Sequence, residues 1–134
     1  MTREDERAVR ELLELHGHFS DAGAFDRFGE LFTDDVVYDV SGLGGGILHG
    51  LEELAEASRA LGYRDPVGHH VTNIVLREVS QDEVAAWSKG IGIRADGVGS
   101  VVYLDRIVRT PAGWRIAERE VQLRREPLTP YRLP

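Results

Sequence analysis

With 23 aspartates and glutamates against 16 lysines and arginines, the 134-residue chain carries a net charge of −7 and no basic cluster larger than Arg124-Arg125, which argues against a nucleic-acid or anionic-membrane surface. It contains no cysteine, so disulfides, thiolate nucleophiles and zinc–thiolate sites are excluded. A charged N-terminus without an apolar core, and no apolar run of membrane-spanning length, predict one cytoplasmic domain over 1–134 that is large enough to bury a real core.

From Thr2 to about Asp21, Val9, Leu12, Leu13, His16 and Phe19 or Ser20 recur at helical spacing, and Thr2 followed by Asp5 and Glu6 reads as an N-terminal cap. Gly23 breaks the run. A short second helix is expected to place Phe25, Phe28, Leu31 and Phe32 on one face. Val36–Val40 has the β-propensity of a strand, and Ser41–Gly46 reads as a glycine-rich loop and a candidate pocket flap. A third helix follows from Leu51 to about Leu61, with Leu51, Leu54, Ala55, Ser58 and Leu61 inward and Gly62 as its C-terminal cap.

After Pro66 the period changes to that of strands. Four are expected, near Val67–Val79, Glu83–Ala95, Val98–Thr110 and Gly113–Arg125, with Asp96-Gly97 as the clearest hairpin turn. The tail, Glu126–Pro134, carries three prolines and reads as an extension without strand structure. Helices followed by an antiparallel meander make an α+β fold, in which a sheet curled over the helices leaves a pocket at its mouth. The strand from Val98 is apolar on both faces, which points to a homodimer through the outer sheet face.

The run Val67-Gly68-His69-His70-Val71-Thr72-Asn73-Ile74-Val75-Leu76 marks the candidate site. By strict alternation one histidine shares a face with Val67, Val71 and Asn73, and the other with Thr72, Ile74 and Leu76. A histidine and an asparagine turned into an apolar concavity need partners, and imidazole suits proton transfer near neutral pH. On the third meander strand Tyr103 and Asp105 share a face with Val101 and Ile107, as a pocket donor and a second proton carrier or arginine partner. The histidines do not suit a metal, because His16 and His18 diverge on a helix and His69 and His70 oppose each other on a strand.

The element order, with Phe28-Gly29-Glu30-Leu31-Phe32-Thr33-Asp34-Asp35-Val36, Gly50-Leu51-Glu52-Glu53-Leu54, His69-His70-Val71-Thr72-Asn73 and Gly113-Trp114-Arg115-Ile116, resembles the SnoaL-like branch of the nuclear transport factor 2-like superfamily over nearly the whole chain. The resemblance implies a cone-shaped fold, three N-terminal helices on a curved, mainly antiparallel sheet around a pocket. In dehydratase- and dehydrochlorinase-type members a helix-1 aspartate orients a strand histidine three residues before a Thr-Asn pair, which implies His69 as base. The aspartate thirteen residues before Asp34 is Asp21, and the arginine five residues past Trp114 is Arg119, a candidate leaving-group helper. Where relatives carry lysine or tyrosine, five residues before the aspartate, this chain has His16. Asp39, beside Tyr38, falls where ketosteroid isomerases place their base. Asp65-Pro66-Val67-Gly68 copies that base segment's order before a different strand and reads as coincidence.

The resemblance therefore implies a lyase or isomerase, dehydratase- or cyclase-like, acting on a small apolar oxygenated molecule such as a polyketide. The expected base is His69 oriented by Asp21 with Arg119 in support, His16, Tyr103, Asp105, Asn73 and Asp39 contact substrate, and the chemistry calls for no cofactor. The alternatives are a non-catalytic binder of a small molecule and a dimeric structural subunit of the same fold. On residue type alone Asp21 reads as a helix cap, His69 and His16 as satisfied core residues, and Arg119 as half of an ion pair.

Overall fold

The structure, a computed structural model, describes residues 1–134. In chain order it comprises α1 (Arg3–Asp21), a 3-10 helix (Phe25–Glu30), β1 (Phe32–Asp39), a 3-10 turn (Ser41–Leu43), β2 (Ile47–His49), α2 (Leu51–Leu61), a further turn (Gly62–Arg64), β3 (Gly68–Ser80), β4 (Glu83–Arg94), β5 (Gly97–Thr110) and β6 (Gly113–Arg124). The six strands form one sheet in the order β2-β1-β6-β5-β4-β3, antiparallel except where β1 runs alongside β6. This is the α+β architecture read from the sequence, with the helices against one face of a mixed, mostly antiparallel sheet. No helix is long and apolar enough to cross a membrane.

Helix α1 starts at a capping box: Thr2 Oγ1 accepts the Asp5 N–H and Asp5 Oδ2 accepts the Thr2 N–H, both at 3.0 Å. Asp5 Oδ1 also accepts from Trp114 Nε1 at 3.0 Å and from Arg109 at 3.2 Å, so one carboxylate pins the start of the helix to the β5–β6 hairpin. The stripe Val9, Leu12, Leu13, His16 and Phe19 is buried against Phe28, Phe32, Val36, Ile107 and Ile116. Each large apolar side chain so buried stabilises by about 1.5–3 kcal/mol. Helix-propensity differences contribute tenths of that, so the stripe sets how α1 lies on the sheet.

Further along α1, Gly17 sits where a Cβ would come within 2.7 Å of the His69 carbonyl oxygen. The missing side chain lets the last turn of the helix press on β3 and delivers Asp21 to the start of that strand. Gly17→Ala is expected to destabilise the fold by about 1–3 kcal/mol through overpacking and to loosen Asp21 from His69. Denaturant titration together with the His69 ring pKa checks both; an unchanged stability and ring pKa would remove this account of Gly17.

The structure departs from the sequence reading at three places. The second helix stops at Glu30, and Phe32 already belongs to β1, because Leu31 offers its carbonyl to the Ile116 N–H at 2.8 Å and draws the chain into the sheet. Ile47–His49, between the expected loop and the third helix, forms a strand that the sequence reading did not include, β2, paired with Val37–Asp39. The third concerns β3, where Asn73 has φ +54° and the register with β4 slips between Thr72 and Val75, the mark of a β-bulge. The bulge resets the alternation, so Ile74 and Leu76 pack on the core with the helices while Thr72 and Asn73 are exposed.

On the outer sheet face the tail docks without forming a strand: Trp87 Nε1 donates to the Arg132 carbonyl at 2.8 Å, and Arg124 stacks on Tyr131. Ile91, Ile93 and Val98 remain exposed on that side.

Candidate active site

Between α1, α2 and the inner face of the sheet lies a cavity of about 440 Å³. Its apolar wall includes Phe25, Leu48, Leu54, Val101, Val121 and Leu123; its polar wall includes His16, Tyr38, Asp65, His69 and Tyr103. The Ser41–Gly46 segment contributes Leu43 and Gly45 to the lining, and a Cβ at its Gly42 would lie 3.2 Å from the Val121 carbonyl oxygen.

Asp21 and His69 meet as the resemblance implied. Asp21 Oδ1 lies 2.7 Å from His69 Nδ1, and the carboxylate also accepts the His69 backbone N–H at 3.0 and 3.2 Å. A carboxylate only accepts, so Nδ1 carries the proton and, in the neutral ring, Nε2 is the free base. That nitrogen faces a second carboxylate, Asp65 Oδ1, at 3.5 Å. Burial opposes charge on this ring, but Asp65 and Asp21 together outweigh it and raise the His69 pKa above its ordinary 6.5. Asp65 lines the cavity and was missed in the sequence. Its signal was the tetrapeptide that reads as coincidence, four residues before His69 on the chain entering β3.

Behind the polar wall, Asp105 and Arg119 stand opposite one another on β5 and β6 and form a bidentate pair, Nε–Oδ1 2.7 Å and the second nitrogen–Oδ2 2.9 Å. Both are buried, Arg119 to 2% exposure and Asp105 to 4%. Burial presses the guanidinium toward neutrality, and the Asp105 carboxylate overrides it, so the arginine pKa lies above its usual value. Its third nitrogen, Nη1, reaches His16 Nδ1 at 2.8 Å, and its plane stacks on Tyr103 at 4.2 Å. Gly90 makes room for that tyrosine, because a Cβ there would fall 2.5 Å from the ring. Burial raises the pKa of both Tyr38 and Tyr103, which keeps their hydroxyls protonated as donors.

The structure thus gathers His69, Asp21, His16 and Tyr103, and sets Arg119 and Asp105 beneath the wall instead of on it. Two further expected contacts are corrected. Asn73 sits on the exposed bulge, where its side-chain oxygen accepts from Thr72, because the extra residue turns it away from the concave face. Asp39 ends β1 outside the cavity and caps the following turn through the Ser41 N–H at 2.9 Å. Its neighbour Tyr38 holds the inward position.

A model of the SnoaL-like domain matches residues 1–120. Among solved structures the chain is similar to LinA, with TM-score 0.72 and 20% identity over 98% of this chain and 94% of that one. It is similar to an NTF2-like protein with a cystatin-like fold from Novosphingobium aromaticivorans, with TM-score 0.71 and 29% identity over 90% and 82%. A candidate scytalone dehydratase from the same organism gives TM-score 0.73 and 18% identity over 90% and 84%. No curated protein matches the chain.

Proposed function

This chain belongs to the SnoaL-like domain family, and on that premise we propose that it is a lyase or isomerase acting through its own side chains on a small, largely apolar, oxygenated molecule. One observation carries the reading: the 2.7 Å contact between Asp21 and His69 Nδ1 on the wall of an open cavity. A binding protein needs the cavity without the pair, and a structural subunit needs neither. The similarity to a candidate scytalone dehydratase agrees with a dehydratase-type reaction.

The neutral His69 ring takes a proton through Nε2 from a carbon beside a carbonyl, and the C–H electron pair becomes the new C=C bond as the carbonyl π pair moves onto oxygen. Asp21 fixes the tautomer and stabilises the imidazolium formed. When the enolate collapses, the imidazolium returns the proton to a different carbon, which is isomerisation, or gives it to a departing β-hydroxyl, which leaves as water. The apolar wall excludes bulk water and strengthens these contacts.

Asp65 sets the pH at which this base is free. Because its carboxylate faces Nε2 and favours the charged ring, kcat/KM should rise with pH through a pKa above 6.5. Asp65→Asn removes one of the two raising partners, so the acidic limb should move to lower pH while Asp21 still orients the ring. A pH–rate profile on any turned-over compound checks it, and an NMR titration of the His69 ring does so without substrate. A limb and ring pKa that stay put in Asp65→Asn would take Asp65 out of the site.

A further inference from the structure

The two cavity histidines are held as opposite tautomers. Arg119 has donors and no acceptor, so the His16 nitrogen at 2.8 Å from it, Nδ1, must be the unprotonated one. A neutral imidazole has one N–H, which His16 therefore carries on Nε2. Nδ1 is taken by Arg119, and the ring's other edge is left for the cavity that it lines. His69 is the reverse, protonated at Nδ1 by its contact with Asp21 and open at Nε2.

We propose that His16 is the oxygen-binding donor of the site, a neutral imidazole whose Nε2–H, fixed by Arg119, bonds the carbonyl oxygen of an uncharged ketone or enone. This rests on the reading of His69 as the base. Phe28, Phe32 and Tyr38 pack around the ring, with centroids at 5.8, 5.4 and 6.0 Å, and fix its orientation. The titratable and charged groups around it are Arg119, Tyr38, Tyr103 and His69, with Asp105 behind the guanidinium. Burial first, then the Arg119 charge and that of His69, keep the His16 pKa well below 6.5, so the ring stays neutral while the reaction runs.

The ligand class follows from charge. The deep cation, Arg119, is held by Asp105, Tyr103 and His16 and does not line the cavity. The two arginines that do, Arg64 and Arg94, are exposed and turned elsewhere, Arg64 to the Ala60 and Leu61 carbonyls and Arg94 toward Asp96. Beside His16 and Tyr103 a carboxylate substrate would therefore meet neutral donors and the Asp65 carboxylate. A ketone carries no charge to desolvate, and the negative charge that develops on its oxygen in the transition state strengthens the bond from Nε2–H. A neutral imidazole of depressed pKa is a known electrophile for that task. Arg119 is then a positioning residue, acting on substrate through His16 and through Tyr103, on which it stacks.

The test is a long-range ¹H–¹⁵N NMR spectrum of the histidine rings in the unmodified protein. His16 is expected to show a bare Nδ1 and a protonated Nε2 that do not titrate in the range of an ordinary histidine. A His16 protonated at Nδ1, or titrating in that range, overturns the proposal. Adding 1-tetralone, an uncharged bicyclic ketone, should shift the Nε2–H signal, and 1-naphthoate, a carboxylate of similar shape, should not. The reverse order, or no response to either, overturns the ligand class. In Arg119→Met/Asp105→Leu the ion pair leaves as a unit, and His16 should gain a mixed tautomer and a higher pKa; an unchanged His16 refutes the positioning role of Arg119. The same spectra separate this inference from its premise. A His69 ring indifferent to Asp21→Asn removes the base, whereas a wrong His16 tautomer removes only the donor.

Discussion

His69→Gln and Asp21→Asn are each expected to lower kcat/KM by roughly 10²–10⁴-fold, the range over which a positioned general base contributes, in a screen of oxygenated ring compounds for dehydration or isomerisation. The two variants act by different routes. His69→Gln removes the proton acceptor and leaves an amide that cannot take its place. Asp21→Asn keeps an oxygen for the His69 backbone N–H, now at 3.0 Å, but loses the charge that stabilises the imidazolium and fixes the tautomer. His69 is partly exposed, with 21% of its side-chain surface accessible, so neither change should lower stability by more than about 1–2 kcal/mol. The informative pattern is a large rate loss with near-parental unfolding midpoints. Parental activity in His69→Gln, on a compound that the unmodified protein turns over, would sink the proposed mechanism. A rate loss that tracked unfolding would point to a structural role for the pair.

The second large effect is on stability. Arg119→Met alone should destabilise the fold by about 3–5 kcal/mol, because it strands the Asp105 carboxylate in the interior. The pair is 2% and 4% exposed, so the orphaned charge is poorly solvated. Arg119→Met/Asp105→Leu should recover most of that loss, since replacing a buried ion pair by apolar groups of similar volume is often close to neutral. Denaturant titration of the single and double variants reads the difference as a coupling energy. If the single variant is as stable as the parent, the guanidinium is not the support on which Tyr103 and His16 rest. If the double variant is as unstable as the single one, the loss comes from packing and not from the uncompensated charge.

Much of this site was legible along the chain. Local rules govern α1, whose capping box and apolar stripe are written in Thr2, Asp5, Val9, Leu12, Leu13 and Phe19, and the meander, whose turns fall at Ala95-Asp96, just before Gly97, and Pro111-Ala112, just before Gly113. Helical and strand periods follow from backbone geometry, which any stretch of sequence carries with it. The pairing of Asp21 with His69 came from resemblance, and the structure supplies its physical basis in Gly17, which lets helix and strand touch.

What could not be read locally were the features made by closure of the sheet. A strand's alternation is legible only until a bulge interrupts it. Asn73 has no side-chain property that announces a positive φ, so the facing of Ile74, Leu76 and Asn73 waited on how β3 pairs with β4. Asp65 took on meaning when the turn before β3 carried it to His69 Nε2, and Asp39 lost its expected role when the turn after β1 turned it away. Arg119 was expected at the substrate from the resemblance, while its residue type read as half of an ion pair. The sheet instead sets it opposite Asp105 on β5 and against His16 on α1, elements separated by most of the chain. Sequence therefore determined which segments would be helix and strand and which residue types could do chemistry. The tertiary structure alone decided which nitrogen of each histidine is free, because a tautomer is set by the partner across the contact, and those partners come from elsewhere in the chain.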